Sequence, residues 1–268
     1  MSNELKAGAL FAGIGGFCVG FRQAGIPTEW AVELDSAAVN TYEANIGKGK
    51  IVRHGDVPAS IVDVSVANDK LAQVDVLHAG FPCQSFSVAG ERKGFDDPRG
   101  QLFYQIIRLV KEFGDARPSV LLLENSPNLK VGDGGSWFME LSSQLKKAGY
   151  WFRESNAIEL DSYDYTHTPQ KRKRLFMIAF ATNRFRNGKI SISPAPHPDK
   201  KDLSKYIDFD GEISDDSYYL DEGNKYFQMI TEKVDDRRSI YQLRKYLVRD
   251  KGANVCPTLT ANMGLGGH

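Results

Sequence analysis

The chain contains a mostly apolar run, Val74-Asp75-Val76-Leu77-His78-Ala79, followed directly by Gly80-Phe81-Pro82-Cys83-Gln84-Ser85-Phe86-Ser87. The first segment predicts a buried strand, and the second predicts a loop at its carboxyl end. In open α/β sheets, ligands bind at that edge. Pro82 fixes φ and stiffens the backbone that presents the Cys83 thiol. Cys83 is therefore a candidate nucleophile, and the alternative is a buried structural cysteine.

Strand and helix signals alternate through the first two thirds of the chain. Apolar periodicity predicts helices over residues 16–24, 36–45, 101–113 and 138–148. Short apolar runs predict further strands over residues 7–11, 29–32, 119–123 and 174–180. Asp35 or Ser36 can cap the second helix, and Gly25 can end the first. This order predicts an α/β fold with a doubly wound, mostly parallel sheet covered by helices on both faces.

Composition is ordinary for a globular protein. The 268 residues are 41% hydrophobic and 25% charged, with a net charge of zero. No apolar run is long enough to span a bilayer, and the N-terminus lacks the apolar core of a signal peptide. The three cysteines are far apart and odd in number, which fits a cytoplasmic location. With no CxxC pair and scattered histidines, we expect no metal site.

The regular alternation fades after about residue 182, where Pro194, Pro196 and Pro198 interrupt the chain. We therefore expect an α/β domain over residues 1–185 and a smaller, irregular region over residues 186–268. Acidic residues concentrate over residues 201–222 and basic residues over residues 237–251. Such runs are usually solvated faces, but near a cleft they suit a phosphate backbone.

A glycine-rich turn, Phe11-Ala12-Gly13-Ile14-Gly15-Gly16, joins the first predicted strand to the first helix. It lets a ligand approach a helix N-terminus, but Cys18 replaces the third glycine of a dinucleotide fingerprint and no P-loop lysine follows. Glu33 ends the second strand, where a carboxylate accepts ribose hydroxyls, and Asp56 can accept an adenine amino group. The alternatives are a surface acid at Glu33 and a helix cap at Asp56. A glycine turn with two acids and no phosphate cradle suits S-adenosylmethionine.

Two further polar segments lie at strand ends. Glu124-Asn125 follows the strand over residues 119–123, where the carboxyl would either line the cleft or cap a turn. Gln170-Lys171-Arg172-Lys173-Arg174 precedes the strand over residues 174–180. Alternation would put Gln170, Arg172 and Arg174 on one face, which is either a cleft face or a solvated basic edge.

In content and order these motifs resemble the C5-cytosine DNA methyltransferase family of bacteria and phages. The segments that carry the resemblance are Phe11 to Phe17, Glu33, Gly55-Asp56, Gly80 to Ser87, Arg99 to Phe103, Glu124-Asn125 and Gln170 to Arg174. The segment Cys256 to Ala261 is similar to the Thr-Leu element of the family's target recognition domain. The resemblance implies the fold of S-adenosylmethionine-dependent methyltransferases, with residues 1–185 as the catalytic and cofactor-binding domain and residues 186–268 as the target recognition region.

The resemblance also implies a role for each motif. Cys83 would add to carbon 6 of a flipped-out cytosine in duplex DNA, Glu124 would hold or protonate ring N3, and Arg172, in a catalytic set with Arg174, would stabilise charge at the carbonyl oxygen. S-adenosyl-L-methionine would donate the methyl group and leave as S-adenosyl-L-homocysteine. The implied cofactor-binding residues are Phe11, Ala12, Gly13, Ile14, Gly15, Gly16, Glu33, Leu34, Asp56, Val57, Gly80, Pro82 and Leu102. The implied DNA-binding residues are Gln84, Ser85, Ser87, Arg99, Asn125, Gln170, Thr258 and Leu259.

The chain departs from the family pattern in two places. Ser126 stands where the family has valine, and the sequence stops before the family's C-terminal Gly-Asn-Ser-Val-like motif. We expect either a truncated C-terminus or a second polypeptide that supplies the rest. The alternatives to a DNA methyltransferase are a tRNA cytosine methyltransferase and a non-catalytic or split methyltransferase subunit. A zinc nucleobase deaminase is disfavoured because Phe86 stands where its second cysteine would be.

Overall fold

The computed structural model describes residues 4–82, 95, 100–187, 193–197, 201–211, 215, 217, 219–244 and 247–259. The chain divides into two compact units, one of residues 1–159 with 174–192 and one of residues 160–173 with 193–268. The second unit thus includes a segment that lies before the boundary expected at residue 185, because residues 160–173 pack with the C-terminal part of the chain. The catalytic and recognition roles of the two parts stay predictions.

Most strands and helices of the structure lie before residue 182. The strands are β1 (Ala7–Leu10), β2 (Thr28–Val32), β3 (Arg53–His54), β4 (Val57–Pro58), β5 (Val76–Gly80), β6 (Val120–Asn125), β7 (Tyr150–Trp151), β8 (Ala157–Asp161) and β9 (Lys173–Ala181). The helices are α1 (Gly16–Gln23), α2 (Ser36–Asn45), α3 (Leu102–Glu112), α4 (Asn128–Val131) and α5 (Ser136–Lys147). Each strand and helix predicted from the sequence is present, with ends within two residues of the predicted ones.

The central sheet has the strand order β2-β1-β5-β6-β9-β7, and β8 also pairs with β9. Strands β2, β1, β5 and β6 run parallel. Strand β9 is antiparallel to β6, and β7 is antiparallel to β9. The predicted α/β fold with a doubly wound, mostly parallel sheet is confirmed, whereas the reversed direction of β9 was not predicted.

Buried apolar side chains hold the helices onto this sheet. Strand β5 is buried along most of its length, as expected for a central parallel strand. Helix α3 buries Phe103, Ile106, Ile107, Leu109 and Val110, the face that its apolar spacing predicted. Helix α2 begins where Asp35 accepts a hydrogen bond from the Ala38 N–H at 2.7 Å, so the predicted cap is confirmed. This packing gives a fixed base to the loops at the carboxyl ends of β1, β5 and β6.

The second unit is less regular. It contains the short helices α6 (Ser162–Tyr165) and α7 (Phe227–Thr231) and an antiparallel hairpin of β10 (Tyr241–Arg244) and β11 (Leu247–Asp250). Gln170 also forms an isolated parallel bridge with Cys256. In the described ranges, no helix is both long and apolar enough to cross a bilayer.

Candidate active site at the carboxyl edge of the sheet

The strand order creates a crevice between β1 and β5. The chain leaves β1 for β2 on one side and later returns to β5 on the other side of β1. At such a switch point, the loops that follow neighbouring parallel strands separate and leave room for a ligand. The glycine turn follows β1, Phe81 and Pro82 follow β5, and Glu124 lies opposite Gly80 in the register of β5 and β6. Residues singled out from three separate motifs therefore meet at one sheet edge.

The glycine turn depends on conformations that few residues other than glycine adopt. Gly13 has φ 54°, and Gly15, the residue before α1, has φ 92°. A Cβ atom on Gly15 would lie 2.7 Å from Ile46 Cγ1 and 3.0 Å from the Tyr42 ring. The turn thus needs glycine at position 15 both for its backbone angles and for the close approach of α2.

Glu33 ties together the loops that follow β1 and β2. Its Oε2 accepts a hydrogen bond from the Gly13 N–H at 2.8 Å, and its Oε1 accepts one from the Asp35 N–H at 2.9 Å. A carboxylate oxygen can accept more than one hydrogen bond, so each oxygen retains capacity for a ligand hydroxyl. Glu33 is therefore a structural tie that can also bind a ribose.

A cavity of about 530 Å³ opens beside Glu33. Its lining residues are Phe11, Val32, Glu33, Leu34, Asp35, Ser36, Ser60, Ile61, Pro82 and Leu102. The cavity combines an acid at the end of a strand with apolar side chains and has the size of a small-molecule site. These residues fit S-adenosylmethionine, since the acid matches ribose hydroxyls and the apolar wall matches an adenine ring.

The predicted cofactor residues divide into three groups in the structure. Phe11, Glu33, Leu34, Pro82 and Leu102 line the cavity. The residues that belong to the glycine turn or to the end of β5 and are not part of the cavity lining are Ala12, Gly13, Ile14, Gly15, Gly16 and Gly80. Asp56 and Val57 belong to the β3–β4 hairpin, are exposed and do not line the cavity.

Sequence reasoning did not assign five lining residues to the cofactor: Val32, Asp35, Ser36, Ser60 and Ile61. The last two follow the β3–β4 hairpin, to which Asp56 belongs. The Asp56 backbone carbonyl accepts a hydrogen bond from Arg53 Nη1 at 3.0 Å, within the hairpin. Ser60 and Ile61 come directly after Pro58, where the hairpin ends, and this position is the feature of the sequence that could have identified them. The assignment of Asp56 to the cofactor stays a prediction.

Glu124 and Arg174 form an ion pair at the end of β6, on the side of β5 that faces away from β1. Arg174 Nε lies 2.8 Å from Glu124 Oε1, and the two side chains are 20% and 19% exposed. A Cβ atom on Gly80 would lie 3.2 Å from Glu124 Oε2. The absence of a side chain at residue 80 thus leaves the carboxyl group room at the end of β5.

Asn125 holds the loop that leads to Cys83. It is 1% exposed, and its Nδ2 donates to the Phe81 carbonyl at 3.1 Å while its Oδ1 accepts from the Ser126 N–H at 2.8 Å. A buried amide whose groups are used in this way fixes the backbone. The contact with DNA expected for Asn125 stays a prediction.

Several predicted site residues lie outside the described residues. They are Cys83, Gln84, Ser85, Ser87 and Arg99. Pro82, the residue before the candidate nucleophile, is described and lines the cavity. The roles of these five residues stay predictions.

The remaining candidates lie in the second unit. Gln170 and Arg172 are partly buried while Lys171 and Lys173 are exposed, which is the predicted alternation. The Thr258 hydroxyl donates to the Lys171 carbonyl at 2.6 Å, and Leu259 is 53% exposed. Thr258 thus binds the backbone of residues 170–174, the basic segment. A DNA contact by Thr258 or Leu259 stays a prediction.

A buried polar cluster lies beneath the glycine turn. His78 of β5 is 1% exposed, and its Nε2 lies 3.6 Å from Cys18 Sγ, which accepts a hydrogen bond from the Tyr42 hydroxyl at 3.5 Å. Burial lowers the pKa of His78 from 6.5 to about 4, and burial raises the pKa of Tyr42 well above its ordinary value. Within the described part of the chain, no group of three or more His, Cys, Asp or Glu side chains is arranged to hold a metal ion.

Known proteins match this chain over most of its length. The family model described as C-5 cytosine-specific DNA methylase matches residues 5–256. The Type II methyltransferase M.Bsp6I of Bacillus sp. (strain RFL6) is 36% identical over 268 residues, which are 98% of this chain and 79% of the relative. The Type II methyltransferase M1.ScrFI of Lactococcus lactis subsp. cremoris is 34% identical over 212 residues, which are 79% of this chain and 50% of the relative. The chain thus spans about four fifths of one of these relatives and half of the other.

Solved structures share the fold. The crystal structure of S. pombe Dnmt2 methyltransferase has a TM-score of 0.59 at 22% identity, and the match covers 86% of this chain and 66% of that one. At this identity the likeness concerns the arrangement of strands and helices. The comparisons give no support for a second polypeptide, which stays a prediction.

Proposed function

Because the chain belongs to the C-5 cytosine-specific DNA methylase family, we propose that it transfers a methyl group from S-adenosylmethionine to carbon 5 of a flipped-out cytosine in duplex DNA. The observation that carries the proposal is the meeting of three features at one sheet edge. They are the cavity beside Glu33, the loop that leads into Cys83, and the Glu124–Arg174 pair. M.Bsp6I and M1.ScrFI, both Type II methyltransferases by name, support the same reaction class.

The cavity residues would hold the methyl donor. S-adenosylmethionine supplies an electrophilic methyl group when it is bound. Glu33 would accept hydrogen bonds from its ribose hydroxyls, and Phe11, Ile61 and Leu102 would pack against its apolar parts. Gly13 and Gly15 would let the ligand approach the backbone at the start of α1.

The residues near Glu124 would activate the cytosine. Carbon 5 is a weak nucleophile, and it becomes enamine-like when the Cys83 thiolate forms a bond to carbon 6. Ring N3 gains electron density in that step, and Glu124 would place a proton there while Arg172 stabilises charge at the carbonyl oxygen. After carbon 5 has gained the methyl group, a base, water in our proposal, removes its proton. The electron pair of that bond returns to the ring, N3 returns its proton to Glu124, and Cys83 leaves as a thiolate.

DNA contacts would come from both parts of the chain. The base must leave the helix because its reacting atoms are inaccessible in a duplex. Gln84, Ser85, Ser87 and Arg99 would contact DNA near the flipped base. In the second unit Gln170, Thr258 and Leu259 would do so, and the basic residues of 237–251 would neutralise phosphates. Bisulfite sequencing of DNA from cells that express the protein would identify the recognition sequence.

The test uses a base that traps the covalent step. In this test 5-fluorocytosine replaces cytosine throughout the DNA, so that every cytosine of a recognition sequence carries fluorine. With fluorine at carbon 5 there is no proton for the base to remove, and the covalent intermediate cannot break down. With S-adenosylmethionine, we expect the wild-type protein to form a denaturation-resistant adduct with this DNA. Cys83→Ser should form none while keeping its affinity for S-adenosylmethionine, and Cys18→Ala should still form the adduct.

The outcomes separate the alternatives. An adduct with 5-fluorocytosine tRNA and none with DNA would favour a tRNA methyltransferase over the proposal. No adduct with either substrate, in a protein that binds S-adenosylmethionine, would indicate a non-catalytic or split subunit. An adduct that persists in Cys83→Ser would reject Cys83 as the nucleophile.

A further inference from the structure

The side chain of Asp161, at the end of β8, binds the backbone of the basic segment, residues 170–174. Its Oδ1 accepts a hydrogen bond from the Arg172 N–H at 2.8 Å and another from the Tyr163 N–H at 3.1 Å. The side chain belongs to a residue that is only 8% exposed. No site described above includes Asp161, and it lies eleven residues before the arginine that it holds.

Ser162 holds the same segment at two further points. Its backbone N–H donates to the Arg172 carbonyl at 3.1 Å, and its hydroxyl donates to the Gln170 carbonyl at 2.6 Å. Both backbone polar groups of Arg172 are therefore bound by the Asp161–Ser162 pair. A segment fixed at three points within three residues has little freedom to change its φ and ψ angles.

The C-terminal part of the second unit holds the other side of the segment. The Lys171 N–H donates to the Cys256 carbonyl at 2.9 Å, and the Lys171 carbonyl accepts from the Thr258 hydroxyl. Hydrogen bonds therefore hold the segment before Arg172 on both sides, and the acceptor that Asp161 provides is a carboxylate oxygen, whereas the Cys256 acceptor is a backbone carbonyl. Hydrogen bonds to an ionised acceptor are roughly twice as strong as neutral ones.

Capping α6 does not by itself explain a buried carboxylate at residue 161. Helix α6 has a single turn of four residues, and a serine or asparagine would cap it without the cost of burying a charge. The second hydrogen bond, to Arg172, is the feature that a cap does not require. It gives the carboxylate two N–H partners and places the arginine backbone at a fixed point.

We propose that Asp161 is a positioning residue for Arg172, fixing the backbone from which its guanidinium reaches the flipped cytosine. The inference rests on the proposed function, since the position of Arg172 matters to the reaction only if Arg172 stabilises charge on that base. A displacement of about 1 Å in a charge-stabilising group is enough to slow a reaction strongly. Loss of the Asp161 acceptor should therefore reduce the rate of methyl transfer more than it reduces DNA or S-adenosylmethionine binding.

The kinetic test uses three variants under single-turnover conditions, with DNA and S-adenosylmethionine saturating. Asp161→Ala should lower the methyl-transfer rate about tenfold, the rate equivalent of one buried hydrogen bond, with both dissociation constants within about twofold of wild type. Asp161→Asn keeps an Oδ1 acceptor and should stay within about threefold of wild type. Asp208→Ala is the matched control, because Asp208 also accepts two backbone N–H groups, of Asp210 and Gly211, away from the basic segment.

A double-mutant cycle distinguishes positioning from general support of the fold. In an Arg172→Ala background, Asp161→Ala should change the rate by less than about twofold, because the residue through which it acts is gone. A tenfold loss in both backgrounds would overturn the proposal, and so would full activity of Asp161→Ala in the wild-type background.

Amide hydrogen exchange gives a readout that does not depend on activity. The Arg172 N–H should exchange at least about tenfold faster in Asp161→Ala and unchanged in Asp208→Ala. If Asp161→Ala does not fold, Asp161→Ser, which can still cap α6 but has no carboxylate for the Arg172 N–H, carries the same measurements, with an expected loss of about threefold in rate. A wild-type protein without methyl transfer would refute the proposed function, whereas unchanged Arg172 exchange in the folded variants would refute the role of Asp161.

Discussion

Glu124, the residue proposed to protonate the cytosine, is held in a fixed orientation by its neighbours. It stands at the end of β6 opposite Gly80, whose missing side chain leaves space for it. Arg174 of β9 fixes one of its oxygens at 2.8 Å. Because β6 and β9 are hydrogen-bonded neighbours in the sheet, the pair is held by backbone as well as by charge. Such a group keeps its orientation without a cost in side-chain entropy when a base arrives.

We expect Glu124→Gln to slow methyl transfer by about 10² to 10⁴, the usual contribution of a general acid, while DNA binding weakens far less. Glu43→Gln is the matched control, because Glu43 is also paired with an arginine, Arg53, at 3.0 Å and its side chain is equally exposed at 19%. The control should stay within about twofold of wild type. Single-turnover rates and filter-binding affinities on the same DNA provide the measurement, and parallel losses in rate and affinity would contradict the role.

Some single-residue features could be predicted from the sequence and others could not. Glu33 was found because its distance from the glycine turn matches the end of the next strand. The inward orientation of Asn125 was not found, because the continuous apolar run over residues 120–123 does not alternate in sequence, although β6 buries every second residue in the structure. The lining residues Ser60 and Ile61 follow a hairpin with strands of two residues each, too short to give any periodicity.

At the scale of elements, the turn between β1 and α1 places the strictest demand on the sequence. Gly15 combines φ 92° with a Cβ position 2.7 Å from Ile46 Cγ1 of the segment after α2. Gly20 lies in the same helix α1, is exposed, and has nothing within 4 Å of its Cβ position. The same substitution at these two glycines should therefore have opposite effects.

We expect Gly15→Ala to lower the free energy of unfolding by about 1–3 kcal/mol, through backbone strain and the clash with Ile46, and to weaken S-adenosylmethionine binding. Gly20→Ala should raise it by about 0.5–1 kcal/mol, since alanine is the better helix former, and leave binding unchanged. Urea unfolding and calorimetric titration measure the two effects. Equal stability of the two variants would contradict the strain assigned to Gly15.

The elements themselves were largely predictable, but the direction of β9 was not. Helix α3 has a clear apolar period and strand β5 is a mostly apolar run, and both were found. The residues of β9 alternate in the same way whether the strand runs parallel or antiparallel to β6, so local pattern cannot give its direction. Strand β7 has two residues and carries no pattern at all.

For the molecule as a whole, the cluster of Cys18, His78 and Tyr42 ties together the elements that carry the site. Its members lie on α1, β5 and α2, the elements next to the glycine turn, the Cys83 loop and Glu33. Among the described residues, His78 Nδ1 is buried and has no hydrogen-bond partner. A second ring proton would thus be a buried donor with no acceptor, which agrees with the lowered pKa of His78.

This cluster makes the stability of the fold depend on pH. The pKa of His78 is about 4 in the folded chain and about 6.5 in the unfolded one, so the unfolded chain binds the extra proton first. The free energy of unfolding should therefore fall by about 3 kcal/mol as the pH drops from 6.5 to 4, with no further loss from this group below pH 4. His78→Leu should remove this part of the pH dependence, whereas Cys18→Ala, which keeps the imidazole buried, should retain it. Urea unfolding at intervals across that range gives the slopes, and an unchanged slope in His78→Leu would show that another group is responsible.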